Sequence, residues 1–141
     1  MANKNQHLET LRQVPLFSSC SKKELTKVAK ATDEVSMPDG EMLTDQGQMG
    51  REAFVIVDGE VVVKRNNRKV ATLGPGSVVG ELSLLDKGPR TATATCLGDC
   101  TVLVIDRRRF LSVVEEIPSI SQKLMASLAG RVRELDRAYY G

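Results

Sequence analysis

Along this chain the spacing of apolar residues changes twice, and each change marks a new kind of element. Residues 8–31 carry apolar side chains at helical intervals. Leu25, Val28 and Ala29 make one stripe, Ser21 followed by Glu24 has the form of a capping box, and Pro15 breaks the segment in two. Residues 34–105 are short apolar and β-branched runs cut by turn residues. Pro38-Asp39-Gly40 predicts a turn, because proline presets φ and glycine accepts a positive one. Gly47 and Gly50 bracket another. Residues 53–57, then Asp58-Gly59, then residues 60–64 predict a hairpin, since Asp-Gly favours the type I′ turn. Asn66-Asn67 and Gly74-Pro75-Gly76 predict two more reversals, and residues 91–95 and 101–105 two more strands. Turns recurring every ~8–12 residues indicate an antiparallel roll or jelly-roll sandwich.

Helical spacing returns over residues 106–139. Asp106 is placed to cap a helix through residues 107–116, and Pro118 suits the first turn of a long final helix, where its missing N–H costs little. Ile120, Leu124, Leu128 and Leu135 fall on one stripe that Met125, Ala129 and Val132 widen. One face can pack on the roll while the other meets a partner helix. Gly130 in mid-helix costs ~1 kcal/mol relative to alanine; it either admits a close neighbouring backbone or is tolerated. No repeat, low-complexity tract or linker divides the chain, so residues 1–141 read as a single domain.

Composition narrows the function. A hydrophobic fraction of 41% with 27% charged residues suits a globular chain rather than a disordered one. A net charge of +2 is too small to imply a nucleic-acid surface, and the Arg107-Arg108-Arg109 run reads as the solvated face of its helix. Aromatics at 4% and no tryptophan leave little for stacking bases or sugars. No apolar run reaches the ~18–20 residues of a membrane span, and residues 1–7 are polar, without a signal core. The three cysteines have no C-x-x-C spacing and read as reduced thiols of a cytosolic, cytoplasmic protein, with Cys96 and Cys100 as small hydrophobes in neighbouring β segments. The one histidine, His7, falls in the expected N-terminal tail, so neither histidine-based catalysis nor a histidine metal site is expected; an enzyme built from carboxylates alone stays open, but nothing points to one, and the chain reads as a non-enzyme without metal.

Residues 76–95 hold the chemistry. Gly80 precedes Glu81-Leu82-Ser83-Leu84-Leu85, which can make one helical turn whose first amides lack acceptors and suit an anion. Gly88-Pro89 ends it, and Arg90 stands at the mouth of an apolar strand, where an arginine is either exposed or holding an anion. Guanidinium matches phosphate bidentately. Glu81, an acceptor when ionised, suits a sugar hydroxyl.

This stretch resembles the phosphate-binding cassette of cyclic nucleotide-binding domains, as found in bacterial catabolite activator-type regulators and in regulatory subunits of cyclic nucleotide-dependent kinases. The family pattern is Phe-Gly-Glu, an apolar, a small and two apolar residues, a short spacer, then Pro-Arg, a small or hydroxyl residue, and Ala. It stands here as Val79-Gly80-Glu81-Leu82-Ser83-Leu84-Leu85 and Pro89-Arg90-Thr91-Ala92, departing only at Val79 and Ser83. Val14-Pro15-Leu16-Phe17, Gly40-Glu41, Gln46-Gly47, Phe54-Val55-Ile56 and the run from Gly59 to Val63 are further family-like landmarks, and the likeness covers roughly residues 10–138. It implies an α+β, mainly β fold: an antiparallel double-stranded β-helix or jelly roll flanked by an N-terminal helical segment and two C-terminal helices, with the cassette at residues 79–92.

The resemblance also implies roles. Arg90 would pair with the cyclic phosphate, with backbone amides near Leu82, Ser83 and Ala92 and the Ser83 and Thr91 hydroxyls around it. Glu81, following Gly80, would accept from the ribose 2′-hydroxyl. Base contacts would come from Val70 and from Leu135, Asp136 or Tyr139, unless Leu135 is dimer core and Tyr139 a frayed end. cAMP is the favoured ligand and cGMP the alternative, since Thr91 can bond a guanine amino group. The last helix meets Gly141 with no helix-turn-helix after it. The expectation is a stand-alone sensor that binds no nucleic acid or membrane, dimerises through residues 124–135, and moves its C-terminal helices on binding ligand to engage a protein effector. Two alternatives remain: a dimerisation or docking module that binds no nucleotide, and the sensor fragment of a transcription regulator.

Overall fold

A computed structural model describes residues 4–140; residues 1–3 of the polar lead and the closing Gly141 lie outside the described residues. Helix α1 spans Lys4–Arg12, a 3-10 turn Pro15–Phe17, and α2 Lys22–Lys30. The expected break at Pro15 is that 3-10 turn. The capping box forms in full: Glu24 N donates to Ser21 Oγ at 3.1 Å and Ser21 N to Glu24 Oε1 at 2.8 Å. His7 is not in a tail. It lies within α1, and its Nε2 is 2.9 Å from Glu34 Oε1.

Six strands follow among the described residues: β1 Thr32–Met37, β2 Met42–Thr44, β3 Glu52–Arg65, β4 Arg68–Leu73, β5 Val78–Val79 and β6 Thr93–Asp106. They form one antiparallel sheet in the order β1-β6-β3-β4, with β2 added to β6 and β5 to β3. Both faces of β3 are buried. Ala53 and Val55 join Leu103 and Ile105 of β6 under the helices. Phe54, Ile56 and Val61 join Ala94, Cys96, Cys100 and Val102 inside the roll. That double burial is why residues 53–57 read as an unbroken apolar run.

The hairpin expected at Asp58-Gly59 does not form. β3 continues through it and pairs with β6 on both sides, Asp58 opposite Thr101 and Glu60 opposite Leu97, so that residues 98–100 oppose Gly59 alone. Gly59 has φ +98, and a Cβ there would lie 2.7 Å from Asp99 O. A bulge and a type I′ turn both demand a positive-φ residue between strand-forming runs, so local sequence does not separate them. The reversal falls at Asn66-Asn67, with φ 53 and 65, joining β3 to β4. For the same reason residues 91–95 and 101–105 are not separate strands. Residues 93–95 and 101–105 belong to the one strand β6, residues 91 and 92 precede it, and Cys96 and Cys100 share that strand, buried in the roll.

Helix α3, Arg107–Glu116, starts as expected with Asp106 Oδ2 accepting from Arg109 N at 3.3 Å. Its arginines are not simply solvated. Arg109 donates to Asp33 Oδ2 and Lys30 O, both at 2.9 Å, and Arg107 to Asp86 O at 3.1 Å. Helix α4, Pro118–Tyr140, begins at the expected proline. Its apolar stripe is divided: Ile120 and Leu124 are buried and Leu128 packs partly against them, but Met125, Val132 and Leu135 are exposed. A Cβ at Gly130 would meet nothing within 4 Å, so within this chain that glycine is tolerated rather than packed. Glu24 joins the two ends of the fold, since the Ser119 hydroxyl and Lys123 ammonium of α4 both donate to it. These two donors, with the Ser21 amide, hold its carboxyl down at about 2.

Candidate functional site

The cassette is one 3-10 turn, Glu81–Leu84, entered through Gly80 and left towards Pro89. Gly80 has φ +76, and a Cβ on it would lie 2.5 Å from Arg90 Nη1 and 3.1 Å from Glu52 O. Conformation and space both require glycine there. Arg90 is held at every level. Its N donates to Gln48 O at 2.8 Å and its O accepts from Gly47 N at 2.9 Å. Its Nη1 donates to Glu52 O at 2.7 Å and to Ser83 Oγ at 2.8 Å. Its guanidinium carbon sits 5.9 Å from the centre of the Phe54 ring, within cation–π range. A Cβ on Gly50 would fall 2.1 Å from Arg90 Nε, so this glycine leaves room for the guanidinium itself.

Burial pushes the Arg90 guanidinium down from its usual value, and the Glu52 carboxylate opposes the shift. At any accessible pH the group stays charged. Among the described residues only Nη1 finds hydrogen-bond partners, which leaves the other edge of the fork to an acceptor from outside. Arg90 lines a cavity of about 140 Å³ together with Gly80, Thr91 and Ala92 of the cassette, Thr44 of β2, Val63 and Arg65 of β3, Leu73 of β4, Val78 and Val79 of β5, and Ala94 of β6. The rim is cross-tied: Arg65 Nε donates to Thr91 O at 3.1 Å and Thr44 Oγ1 to Ala92 O at 2.9 Å. Two guanidiniums above an apolar floor can fix an anion whose uncharged part lies on Val63 and Leu73.

The sequence-predicted residues separate into two groups. Gly80, Arg90, Thr91 and Ala92 line the cavity, and Ser83 is buried with its hydroxyl on Arg90. The Ser83 amide donates within the turn, to Gly80 O at 3.1 Å, so it is the Ser83 side chain that braces the arginine. Leu82 is 49% exposed and does not line the cavity. Val70, Leu135 and Tyr139 are exposed and lie outside the lining, as does Asp136. Glu81 accepts a bidentate pair from α4: Arg131 Nη1 to Oε1 at 2.7 Å and Nη2 to Oε2 at 3.0 Å. Those bonds push the Arg131 guanidinium up from its usual value, against the effect of burial.

Arg131, Arg65, Val63, Leu73 and Gly50 were not expected at the site from sequence, Gly50 being read only as a turn glycine and Val63 only as part of a family-like run. A signal existed for two of them, since Val61, Val63 and Arg65 share one face of β3 at period two. None existed for Arg131, whose partner lies 50 residues away.

The "Cyclic AMP receptor protein" of Thermus thermophilus is 32% identical over 127 residues, covering 86% of this chain; the chain spans 59% of that protein's length. The solved N-terminal domain of a transcriptional regulator from Streptomyces coelicolor superposes with TM-score 0.84 at 29% identity, covering 92% of this chain and 96% of that one. The regulatory domain of Toxoplasma gondii PKA, solved with cAMP, superposes with TM-score 0.73 at 29% identity, covering 82% of this chain and 47% of that one. The sequence pattern of the cyclic nucleotide-binding domain runs through residues 34–116, from β1 across the cassette to the end of α3. That is more than half of the sequence, and the chain belongs to the cyclic nucleotide-binding domain family.

Proposed function

We propose that this chain is a cyclic nucleotide sensor whose ligand is cAMP, held with its cyclic phosphate on the open edge of Arg90. The observation that carries this reading is the arginine itself: its Nη1 is fixed by Glu52 O and Ser83, the rest of its fork has no hydrogen-bond partner among the described residues, and the residue lines the cavity. A monoanionic phosphodiester satisfies that edge without a proton transfer. Arg65 adds a second positive charge, and Val63 and Leu73 offer the base an apolar wall. Relatives named for cAMP favour it over cGMP. Val70, Leu135 and Tyr139 take no part in this version of the site, because none of them lines the cavity.

Glu81 is outside the lining too, but it directly follows Gly80, which is part of it, and in this proposal it is the ribose carboxylate. A 2′-hydroxyl that donates to Glu81 competes with, or shares it with, Arg131. Ligand occupancy and the seating of α4 therefore bias one another through differential affinity for two arrangements. The exposed Met125, Val132 and Leu135 make the distal half of α4 the surface for a second copy. The output is regulatory binding rather than catalysis.

Titration calorimetry with cAMP and cGMP tests the reading. Micromolar or tighter binding of cAMP is expected, and Arg90→Ala should cost on the order of 2–5 kcal/mol of it, because a buried phosphate loses its charged partner. Absence of heat with either nucleotide would return the chain to the docking-module reading. Unchanged affinity in Arg90→Ala would remove the cassette assignment.

A further inference from the structure

Behind Arg90, on the outside of the same backbone segment, lies a groove that the nucleotide reading does not use. Residues 48–52 serve two arginines by turns. Gln48 O and Glu52 O accept from Arg90, while Arg51 O between them accepts from the Arg107 amide at 2.8 Å. There a groove of about 780 Å³ opens between this segment, Lys87 and the first turn of α3.

Its charge is one-sided. Arg51, Lys87, Arg107 and Arg108 line it, and the carboxylate among them, Asp106, is committed to capping α3. Arg51, Lys87 and Arg108 are exposed, and among the described residues none of the three has a salt-bridge partner. The whole chain carries only +2, so this concentration is local. Like charges gathered in one concavity repel each other, and an anionic occupant removes that cost. The groove is also partly apolar, with Met49 68% and Leu111 45% exposed. Nucleic-acid phosphates would use the cations and leave these two side chains in water. A flat anionic membrane would not enter the concavity. A peptide with carboxylates around a central apolar side chain satisfies both features. We propose that this groove is a docking surface for an acidic peptide segment of a partner protein. This assignment does not rest on the ligand of the Arg90 cavity.

Fluorescence anisotropy tests it, using the intact chain and a fluorescein-labelled peptide, Glu-Glu-Glu-Leu-Leu-Glu-Glu-Glu. Saturable binding that weakens with added salt is expected. Arg51→Glu with Arg108→Glu should weaken it at least about tenfold, whereas Lys22→Glu with Lys23→Glu on α2, a charge change of equal size elsewhere, should weaken it less than about twofold. Leu111→Ser should lower affinity while leaving the salt dependence in place. Melting temperatures accompany each variant, and Lys87→Gln with Arg108→Gln replaces the first pair should it fail to fold. Equal loss from the groove pair and the α2 pair would overturn the proposal. So would tighter binding of a duplex DNA oligonucleotide or of phosphatidylglycerol vesicles than of the peptide.

Discussion

Gly50 leaves the space that the Arg90 guanidinium occupies. A single methyl group at 50 would lie 2.1 Å from Nε, and the yielding partner would be the arginine side chain rather than backbone. Gly50→Ala should therefore leave the melting temperature nearly unchanged while weakening cAMP binding by about 1–3 kcal/mol, the usual cost of overpacking a tight contact. Calorimetry beside a thermal scan separates this from unfolding. Equal damage to both quantities would mean that Gly50 serves the fold and not the arginine. The reading of Arg90 from sequence rested on its place after Gly88-Pro89, on charge and on the family resemblance. Sequence could not supply the acceptor at Glu52 O or the packing against Gly50, because these arise from strands distant in the chain.

At the level of elements, two carboxylates fasten α4. Arg131 holds the cassette through Glu81, and Lys123 with Ser119 holds α2 through Glu24. The first tie is exchangeable in the proposed function, since a ribose hydroxyl addresses the same carboxylate. Arg131→Ala should uncouple ligand from helix: cAMP still binds, but the change in hydrogen-exchange protection over residues 125–139 on adding cAMP falls to near zero. Retention of that change in the variant would place the coupling elsewhere.

The second tie is structural and pH-sensitive. Glu24 titrates at about 2 when folded and near ~4.3 when unfolded. Its folded value is depressed, so its contribution is complete above the unfolded value and is lost as pH falls from about 4.5 towards 2. Glu24→Gln should cost on the order of 1–3 kcal/mol at neutral pH, and the gap in melting temperature between it and the parent should close on acidification through that window. A gap constant with pH would deny the carboxylate its role.

For the molecule as a whole, the chain does not cover all of its own apolar surface. Ile120 and Leu124 seal the helical core, but Met125, Val132 and Leu135 on the same helix stay 61%, 64% and 70% exposed. An apolar helix face left open in this way favours a second copy of itself, meeting it across a two-fold axis. Leu135→Glu should halve the mass seen by light scattering without changing the melting profile of the single chain. A parent protein that already runs as a monomer would end the dimer proposal. Leu128 is a poorer test position, because it packs partly on the chain's own core.

Sequence by itself determined the elements whose cause is local. The capping box at Ser21 and Glu24, the break at Pro15, the Asp106 cap and the helix start at Pro118 all depend on residues a few positions apart, and periodicity and turn chemistry report such relations directly; the cassette at residues 79–92 was legible through its resemblance to a known family. Tertiary structure alone decided the rest. Whether Asp58-Gly59 turns or bulges depends on β6 lying alongside it, and whether residues 91–95 and 101–105 are one strand depends on the same pairing. Whether Glu81 waits open or is held by Arg131, and which of Val63, Leu73 or Val70 faces the cavity, depends on surfaces brought together from far along the chain. Contacts between distant segments leave no period or spacing in a single sequence, because their energy is set by packing and charge in three dimensions.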